Sequence, residues 1–365
     1  MRDLVLSCVN AFLLSLVLIA VMQRFAAPIG LLDVPTSRKN HAGHVPLVGS
    51  AVFAAFAIAA LLLKEQPAGL GAFLIGSTML VLLGVLDDVF DMQATAKLIA
   101  QIVCVVVMVL PSQTIIWNLG TIFGGSPLVL QHLAIPLTVF AIVGLINAFN
   151  MIDGVDGLAG CLSVLALAWF AIAAWIIGSD GEFSIALLVG FCILGFLGFN
   201  LRHPWRARAV VFLGDGGSMM LGAVLGFLSI ALSQRTNGTN LSPIVALWIC
   251  AIPVIDTVSL AIRRLAMGRS PFSNDRQHLH HLMLDAGLSV NQVVAVLSAA
   301  GAILGAIGVG GWCFGVPDSV LLACLVGPAS LHTWFVLYGS THMAATWSAI
   351  ARVKSVLTRP QPLLK

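Results

Sequence analysis

The chain has 365 residues, of which 59% are hydrophobic and only 9% are charged, and its formal net charge is +3. Soluble domains carry about 25% charged residues, so the composition excludes a soluble globular protein, and the small net charge gives no support to nucleic acid as a partner. The seven cysteines include no CxxC pair and lie mostly in apolar runs, which argues against a disulfide framework and against a cysteine zinc site.

Apolar runs long enough to cross a bilayer recur along the whole chain. A spanning helix needs about 20 apolar residues, so the sequence predicts an all-α integral membrane protein, a polytopic helical bundle of about eleven transmembrane helices in one domain covering 1–365. The first run is predicted to be a retained span and not a signal peptide. The predicted spans are 4–22, 47–63, 70–86, 97–113, 132–148, 158–177, 183–199, 216–232, 243–262, 292–312 and 319–338.

The distribution of basic residues predicts the orientation of the bundle. Fifteen of the 18 Lys and Arg residues lie on one side of the predicted topology, in or beside its loops and in the C-terminal tail. Basic residues are enriched on the cytoplasmic side of membranes, so we expect the N-terminus outside and the C-terminus in the cytoplasm. The cytoplasmic loops are then expected near 23–46, 87–96, 149–157, 200–215 and 263–291.

The first polar cluster ends the third predicted span, in the sequence GVLDDVFD. Asp87 and Asp91 share one face if the helix continues, since residues four apart are neighbours on a helix. Carboxylates at membrane depth are costly and need a reason, and a divalent cation relieves their repulsion. The alternative is a solvated acidic helix end; with Lys97 as the first nearby basic residue, the pattern favours a functional site that includes Asp87 and Asp88.

The second cluster, in the sequence NAFNMIDGVDG, places an oxygen ligand at every third residue. On a helical turn Asn147, Asn150, Asp153 and Asp156 lie roughly in one stripe, and amide and carboxylate oxygens are the ligands that Mg²⁺ selects. An ordinary Asn/Asp/Gly turn is the alternative. Two Asn and two Asp within ten residues favour a functional site over a turn.

The third cluster, FLGDGGS, opens a predicted span. Glycines at a helix N-terminus expose N–H groups that suit a phosphate, and Asp215 would repel that phosphate unless a metal ion lies between them. The pattern therefore indicates a metal–phosphate complex, and a plain N-cap by Asp215 is the equal alternative.

The fourth cluster, SNDRQHLHH, lies in the longest predicted cytoplasmic loop. His278, His280 and His281, together with Arg276, are residue types that clamp a pyrophosphate. A zinc site is the rival, but no cysteine is near and the histidine spacing is not the usual one. A solvated loop is the remaining alternative. Outside the clusters, Asp256 is a packing or site residue, and His132 and His332 are expected at the membrane interface.

Carboxylates, Mg²⁺, glycine N–H donors and basic side chains together describe phosphoryl transfer at the membrane–cytoplasm boundary. Two other classes stay open. A membrane prenyltransferase also uses aspartates and Mg²⁺, but lacks a histidine–arginine loop of this kind. A cation-coupled transporter holds its ions near the bilayer midplane, whereas these carboxylates are expected at one face.

The four clusters resemble the cytoplasmic motifs of the polyprenyl-phosphate N-acetylhexosamine-1-phosphate transferases, and within them the branch that uses undecaprenyl phosphate and UDP-GlcNAc. The resemblance starts at GLLDVP and PLVGS, where Ser50 stands for the usual second glycine, and beyond Leu288 it is mainly one of hydropathy. It implies transfer of N-acetylglucosamine 1-phosphate to undecaprenyl phosphate, giving undecaprenyl-PP-GlcNAc and UMP. This is the first step of lipid-linked O-antigen or related surface glycan assembly, in a bacterial inner membrane.

The resemblance also implies residue roles. Asp87 and Asp88 would orient or deprotonate the lipid phosphate, which attacks the β-phosphorus of the nucleotide sugar, and Asn150 and Asp215 would hold Mg²⁺ or Mn²⁺. Both a direct attack and a covalent aspartyl intermediate stay open, and direct attack is favoured because a phosphate anion needs little activation. Asp153 and Asp156 would be catalytic, through the nucleotide or the metal. The remaining predicted residues would bind substrate and neutralise the pyrophosphate: Lys97, Asn147, Arg276, His278, His280 and His281. The exact UDP-N-acetylaminosugar and the oligomeric state, a homodimer included, are left undecided.

Overall fold

A computed structural model describes residues 2–33, 43–63, 66–235, 238–270 and 277–339. Two short strands, β1 (Leu32–Asp33) and β2 (Val45–Pro46), pair antiparallel near the start of the chain. The α-helices of the described residues are numbered in chain order: α1 Arg2–Phe25, α2 Gly49–Leu61, α3 Leu70–Phe90, α4 Ala94–Ser112, α5 Ala134–Ile152, α6 Leu158–Ile177, α7 Asp180–Asn200, α8 Gly214–Ser233, α9 Pro243–Ile249, α10 Ala251–Ala266, α11 Leu279–Asp285, α12 Val290–Cys313 and α13 Asp318–Trp334. A 3-10 helix (Gln131–Leu133) precedes α5, a π-helical segment (Phe335–Gly339) follows α13, and loops join the helices.

The predicted fold class, a polytopic helical membrane protein, is confirmed. Each of the eleven predicted spans contains a helix or a broken pair of helices. By length and hydropathy, nine helical segments of the described chain can cross a membrane, or ten if α9 and α10 count as one bent span. The sequence predicts about eleven spans, and the described residues supply nine or ten by this criterion.

The predicted span 47–63 is shorter than expected. Helix α2 has 13 residues, which is about 20 Å of helix against a hydrocarbon core of about 30 Å. It starts late because the preceding backbone is extended: the Val48 and Gly49 N–H groups donate to Phe212 and Leu213 carbonyls at 2.9 Å. These bonds fix the start of α2 beside the start of α8.

The predicted span 243–262 is broken between α9 and α10, which meet at an angle of 87°. Pro253 lies in the first turn of α10 and has no N–H to donate to the carbonyl of Ile249, four residues earlier. A proline inside a helical pattern removes this bond and crowds that carbonyl. The bend turns α10 toward α5 and α13.

Helix α8 is the centre of the bundle, with α2, α3, α5, α6 and α7 packed round it. Nearly all of its residues from Gly216 to Ser233 are buried. Small residues allow this close packing, as is usual between membrane helices. A Cβ atom on Gly84 of α3 would lie 2.3 Å from Gly216 Cα, and one on Gly222 would lie 2.5 Å from Ile146 Cα of α5. The glycines therefore set how closely α3 and α5 approach α8.

We expect Gly84→Ala to lower the thermal stability of the protein, because its new methyl group meets the backbone of α8, which cannot move aside. Overpacking of this kind costs about 1–3 kcal/mol. Thermal unfolding in detergent measures the loss. Gly71→Ala is the matched control, since it lies in the same helix and its Cβ has no atom within 4 Å; equal melting temperatures for the two variants would contradict the prediction.

The helices extend further into the expected loops than the sequence suggested. Helix α5 runs to Ile152, so Asn150 is helical, and only residues 91–93 separate α3 from α4. The loop expected at 263–291 contains a helix, α11. One end of the bundle, called here the site end, thus gathers the C-termini of α3, α5 and α7 with the N-termini of α4, α6 and α8.

Candidate active site

The first side chains of the site come from the tight turn between α3 and α4. Helix α3 ends because Asp91 adopts a left-handed backbone with φ 50°. The helix therefore does not continue to Asp91, so the condition under which Asp91 and Asp87 would share a helix face is not met, and Asp91 is exposed. Asp87 Oδ1 accepts the Met92 N–H at 2.8 Å across the turn, and its Oδ2 lies 2.6 Å from Lys97 Nζ in the first turn of α4. The turn therefore supplies an ion pair.

Helices α5 and α8 complete this ion pair. Lys97 Nζ also lies 2.6 Å from Asp215 Oδ2 and 3.5 Å from Asn150 Oδ1. Asn150 Nδ2 donates to Asp215 Oδ1 at 2.7 Å and to Ser218 Oγ at 2.9 Å. Asp87, Lys97, Asn150 and Asp215 thus form one contact group from four helices, called here the acidic cluster together with the adjoining Asp88.

Asp88 closes the N-terminus of α8. Both of its carboxylate oxygens accept the Asp215 N–H, at 3.1 Å from the backbone nitrogen. Gly214 has φ +71°, and a Cβ there would lie 2.7 Å from Asp88 Oδ2. The sequence suggested either a phosphate or an N-cap by Asp215 at this helix start; in the structure a carboxylate from α3 accepts the Asp215 N–H instead.

Asp153 lies just beyond the end of α5, and its carboxylate has no hydrogen-bond or ion-pair partner in the described part of the chain. Burial raises its pKa well above the usual value, and the negative charges of Asp215, Asp88 and Asp156 raise it further. Their effect shows that Asp153 stands near the acidic cluster. It is a carboxyl group with free capacity for a ligand.

Asp156 lies three residues further on, and its carboxylate already has partners within the protein. Its Oδ2 lies 2.6 Å from Arg202 Nε and accepts the Ala209 N–H at 3.1 Å. The contacts join the α5–α6 loop to the loop between α7 and α8. In this arrangement Asp156 holds the two loops together.

Asn147 lies one turn deeper in α5 than Asn150. Its amide donates to Gln101 Oε1 at 2.9 Å and to the Val143 carbonyl at 2.8 Å. Gln101 is fully buried in α4. The stripe expected from the spacing is thus divided: Asn150 joins the acidic cluster, whereas Asn147 links α5 to α4.

The three predicted histidines form a stack at the start of α11. The rings of His278 and His280 are nearly parallel with centroids 5.5 Å apart, and His280 and His281 are 4.3 Å apart. A Cβ on Gly154 would lie 2.7 Å from His280 Nε2, so the stack touches the loop that carries Asp153. Arg276 lies outside the described residues.

The pKa of His280 predicts a pH dependence of stability. Burial, reinforced by the charges of His281 and His278, lowers this pKa from 6.5 to about 3. At a pH between these two pKa values, His280 binds a proton in the unfolded chain but not in the folded chain. Protonation therefore favours unfolding, and stability falls as the pH falls below about 6.5. We expect His280→Gln to flatten the fall in melting temperature between pH 7 and pH 5. His132→Gln, at an exposed position, should keep the wild-type slope; equal slopes for both variants would contradict the assignment.

The oxygen atoms of the acidic cluster fit a hard cation. Asp215 and Asn150 direct oxygens at one point, where the Lys97 ammonium now lies. Proteins usually hold Mg²⁺ with one or two carboxylates plus waters and substrate phosphates, and two carboxylates with an amide meet that need. In the described ranges, no group of three or more His, Cys, Asp or Glu side chains forms a metal-ligand set.

Several residues make contacts near the site that the sequence does not predict. Asp256 is 2% exposed in α10 and lies 2.7 Å from His278 Nδ1, and His332, expected at the membrane interface, lies 3.5 Å from the same carboxylate. Arg202 and Ser218 were not singled out as partners of site residues. A carboxylate inside an apolar span was the available signal for Asp256; the identity of its partners depends on the fold.

Comparison with known proteins matches residues 70–233 to the model of Glycosyl transferase family 4. The undecaprenyl-phosphate alpha-N-acetylglucosaminyl 1-phosphate transferase of Salmonella typhi is 37% identical over 96% of this chain and 94% of its own length. Its namesake in Escherichia coli K12 is 34% identical over the same shares, and that of Haemophilus influenzae is 35% identical over 99% of both chains. The chain therefore belongs to glycosyl transferase family 4, among the relatives of the undecaprenyl-phosphate alpha-N-acetylglucosaminyl 1-phosphate transferases.

Proposed function

We propose that the chain transfers N-acetylglucosamine 1-phosphate from UDP-GlcNAc to undecaprenyl phosphate, releasing UMP. The observation that carries the proposal is the acidic cluster: four helices bring Asp87, Lys97, Asn150 and Asp215 together at one end of a membrane bundle. The relatives that carry this activity in their names align over almost the whole chain, which supports the same reaction for this chain.

The location of the cluster supports a lipid-borne acceptor and a water-soluble donor. Asp87 ends a membrane-spanning helix and Asp215 begins one, so a phosphate attached to a membrane lipid reaches both at the bilayer surface. The predicted excess of basic residues on this side supports a cytoplasmic site, where nucleotide sugars are made. The C-terminus would lie on the same side and the N-terminus in the periplasm of a bacterial inner membrane.

In the reaction, an oxygen of the lipid phosphate forms a bond to the β-phosphorus as the bond from that phosphorus to the bridging oxygen breaks. UMP leaves with the bond's electron pair. A divalent cation, Mg²⁺ or Mn²⁺, held by Asp215 and Asn150, would neutralise negative charge on the diphosphate. Positioning and electrostatics supply most of the catalysis in such transfers, so the protein needs fixed charges more than a covalent nucleophile.

The described residues divide this work by their contacts. Lys97 holds the two carboxylates of Asp87 and Asp215 in one place. Asp88 fixes the start of α8 and with it the position of Asp215. Asp153 has a carboxyl group without a protein partner and would accept hydrogen bonds from the donor nucleotide or sugar. The histidine stack beside Gly154 would face the pyrophosphate, since it touches the same loop.

The test is an assay of the purified full-length protein with undecaprenyl phosphate and a panel of UDP-sugars, with mass spectrometry of the lipid product. With UDP-GlcNAc, the protein is expected to form lipid-linked GlcNAc and to release one UMP per lipid product. EDTA should abolish this reaction, and added Mg²⁺ or Mn²⁺ should restore it. If a lipid-linked product formed only with another UDP-N-acetylaminosugar, the proposed reaction would stand and the proposed donor would be replaced. No lipid-linked product from any donor would overturn the proposal, and prenylation of an aromatic acceptor would replace it.

A further inference from the structure

Asp256 is a buried carboxylate outside the acidic cluster. It lies in α10, which packs against α5, α12 and α13, and only 2% of the residue is exposed. A charged group in such a place is costly unless it is paired and fully hydrogen-bonded. Its partners therefore indicate what the residue does.

Two of these partners belong to the start of the histidine stack. Asp256 Oδ2 lies 2.7 Å from His278 Nδ1, and Oδ1 accepts the Leu279 N–H at 3.0 Å. Leu279 is the first residue of α11, whose N-cap position makes no side-chain cap of its own. One carboxylate thus fixes both the ring of His278 and the first free N–H of the helix that carries His280 and His281.

Helix α13 lies against Asp256 on the side away from α11. His332 Nε2 lies 3.5 Å from Asp256 Oδ1, and its Nδ1 lies 2.9 Å from Ser259 Oγ. Ser259 Oγ in turn lies 2.8 Å from Thr333 Oγ1. Polar groups within 3.5 Å of one another therefore lead from α13, through Asp256, to His278.

These contacts continue toward the proposed active site. The ring of His278 is stacked on His280 at an interplanar angle of 15°, and His280 Nε2 faces the Gly154 backbone. A turn of the His278 ring would displace His280, and with it the loop that carries Asp153. The orientation of one ring is thus coupled to the site through close packing.

We propose that Asp256 is a positioning residue, which holds His278 with its proton on Nδ1 and thereby presents the histidine stack to the pyrophosphate of the donor. His332 supports Asp256 from behind. This inference rests on the proposed function and deepens it. A carboxylate only accepts hydrogen bonds, so Nδ1 of His278 carries a proton toward Asp256 and Nε2 is the nitrogen that faces a ligand. Pyrophosphate oxygens also only accept, so Nε2 would meet them as an N–H donor of an imidazolium ring, which the carboxylate orients and stabilises as in other carboxylate–histidine pairs.

The experiment compares four variants of the full-length protein in lipid nanodiscs: Asp256→Asn, Asp256→Glu, His278→Ala and the double variant Asp256→Asn/His278→Ala. Loss of a group that orients a functional histidine typically costs about 10- to 100-fold in activity. We expect Asp256→Asn to lose that much kcat/KM, with a raised KM for the nucleotide sugar and an unchanged KM for the lipid. Asp256→Glu, which keeps the charge, should recover part of the loss.

The double variant separates positioning from an independent role. If Asp256 acts through His278, adding Asp256→Asn to His278→Ala costs less than about twofold more, because residues that act as a unit are not additive. His332→Ala should cost less than Asp256→Asn and nothing more when combined with it. Asp285→Asn, an exposed carboxylate at the end of α11, is the control and should match wild type. Multiplicative losses in the double variant would overturn the proposal.

A second readout does not depend on activity. The protein has nine histidines, and ¹⁵N-histidine spectra of wild type and His278→Ala identify the His278 signal. That signal should show a protonated Nδ1 in wild type and should change in Asp256→Asn. An unchanged signal would overturn the proposal. If wild type made no lipid-linked product, the proposed function would fail, while the spectra would still decide whether Asp256 sets the tautomer of His278.

Discussion

Asp215→Asn is expected to lower the transfer rate at least about a hundredfold, the size of loss seen when one preorganised electrostatic contact is removed from an active site, while the protein still folds. The two oxygens of Asp215 accept from two different donors, Lys97 Nζ at 2.6 Å and Asn150 Nδ2 at 2.7 Å. An amide has only one acceptor oxygen, so in either orientation its NH₂ group would face one of these donors. The substitution keeps the shape of the side chain and breaks the cluster.

The measurement is kcat/KM for UDP-GlcNAc together with the melting temperature. Asp180→Asn is the matched control, because it removes a carboxylate from the first turn of α7 at the end of the bundle opposite the site, and it should keep wild-type turnover. We also expect Asp215→Asn to need more Mg²⁺ for half-maximal residual activity. Turnover within about threefold of wild type would show that Asp215 holds neither the metal nor the cluster.

The positions of the helices could be predicted because the bilayer imposes one simple rule, a long apolar run, on every span. That rule does not predict where a helix is broken or how long it is. The shortness of α2 depends on backbone hydrogen bonds between segments distant in sequence, such as Val48 to Phe212, whereas the bend before Pro253 comes from a local proline effect that a count of apolar residues does not register. Helix α11 was missed because seven residues are too few for a periodic pattern to be distinguished from a loop.

The residues of the site could be predicted better than their contacts. Charged side chains are so scarce in this chain that those at span ends are good candidates for site residues. Asp87, Asp215 and Lys97 do lie together in the structure. Which partner each one takes was not predictable. Asp88 accepts the Asp215 N–H, at a helix start expected to bind phosphate, and Asp156 pairs with Arg202, because packing between helices decides these partners.

The glycines of the third motif illustrate the same limit. At the sequence level Gly216 and Gly217 indicate a phosphate-binding turn. In the structure a Cβ on Gly217 would lie 2.7 Å from Gly49 Cα, and Gly216 lies against α3. They allow α2 and α3 to approach α8, which brings Asp87 and Asp88 to Asp215. Close packing and chemistry thus depend on the same short segment.

Lys97→Met is expected to reduce transfer at least about a hundredfold and also to destabilise the protein, whereas Lys97→Arg should keep the fold and part of the activity. The ammonium lies 2.6 Å from both Asp87 Oδ2 and Asp215 Oδ2, so these two carboxylates are about 5 Å apart at most. Two unit charges about 4 Å apart repel by about 4 kcal/mol near a protein surface. Without the lysine, the carboxylates of Asp87 and Asp215 repel each other with no positive side chain between them.

The response of Lys97→Met to metal ions distinguishes a counter-ion from a substrate ligand. If Lys97 holds the two carboxylates together, a divalent cation can take over that task, so Mg²⁺ should raise the melting temperature of Lys97→Met more than that of wild type. Any binding to the folded state alone stabilises by mass action, and the extra negative charge of the variant strengthens it. If Lys97 served only to bind the pyrophosphate, the variant would lose activity with an unchanged melting temperature and no added response to Mg²⁺. The cluster would then be held by Asn150 and the backbone of α8, and the lysine would be free to follow the substrate.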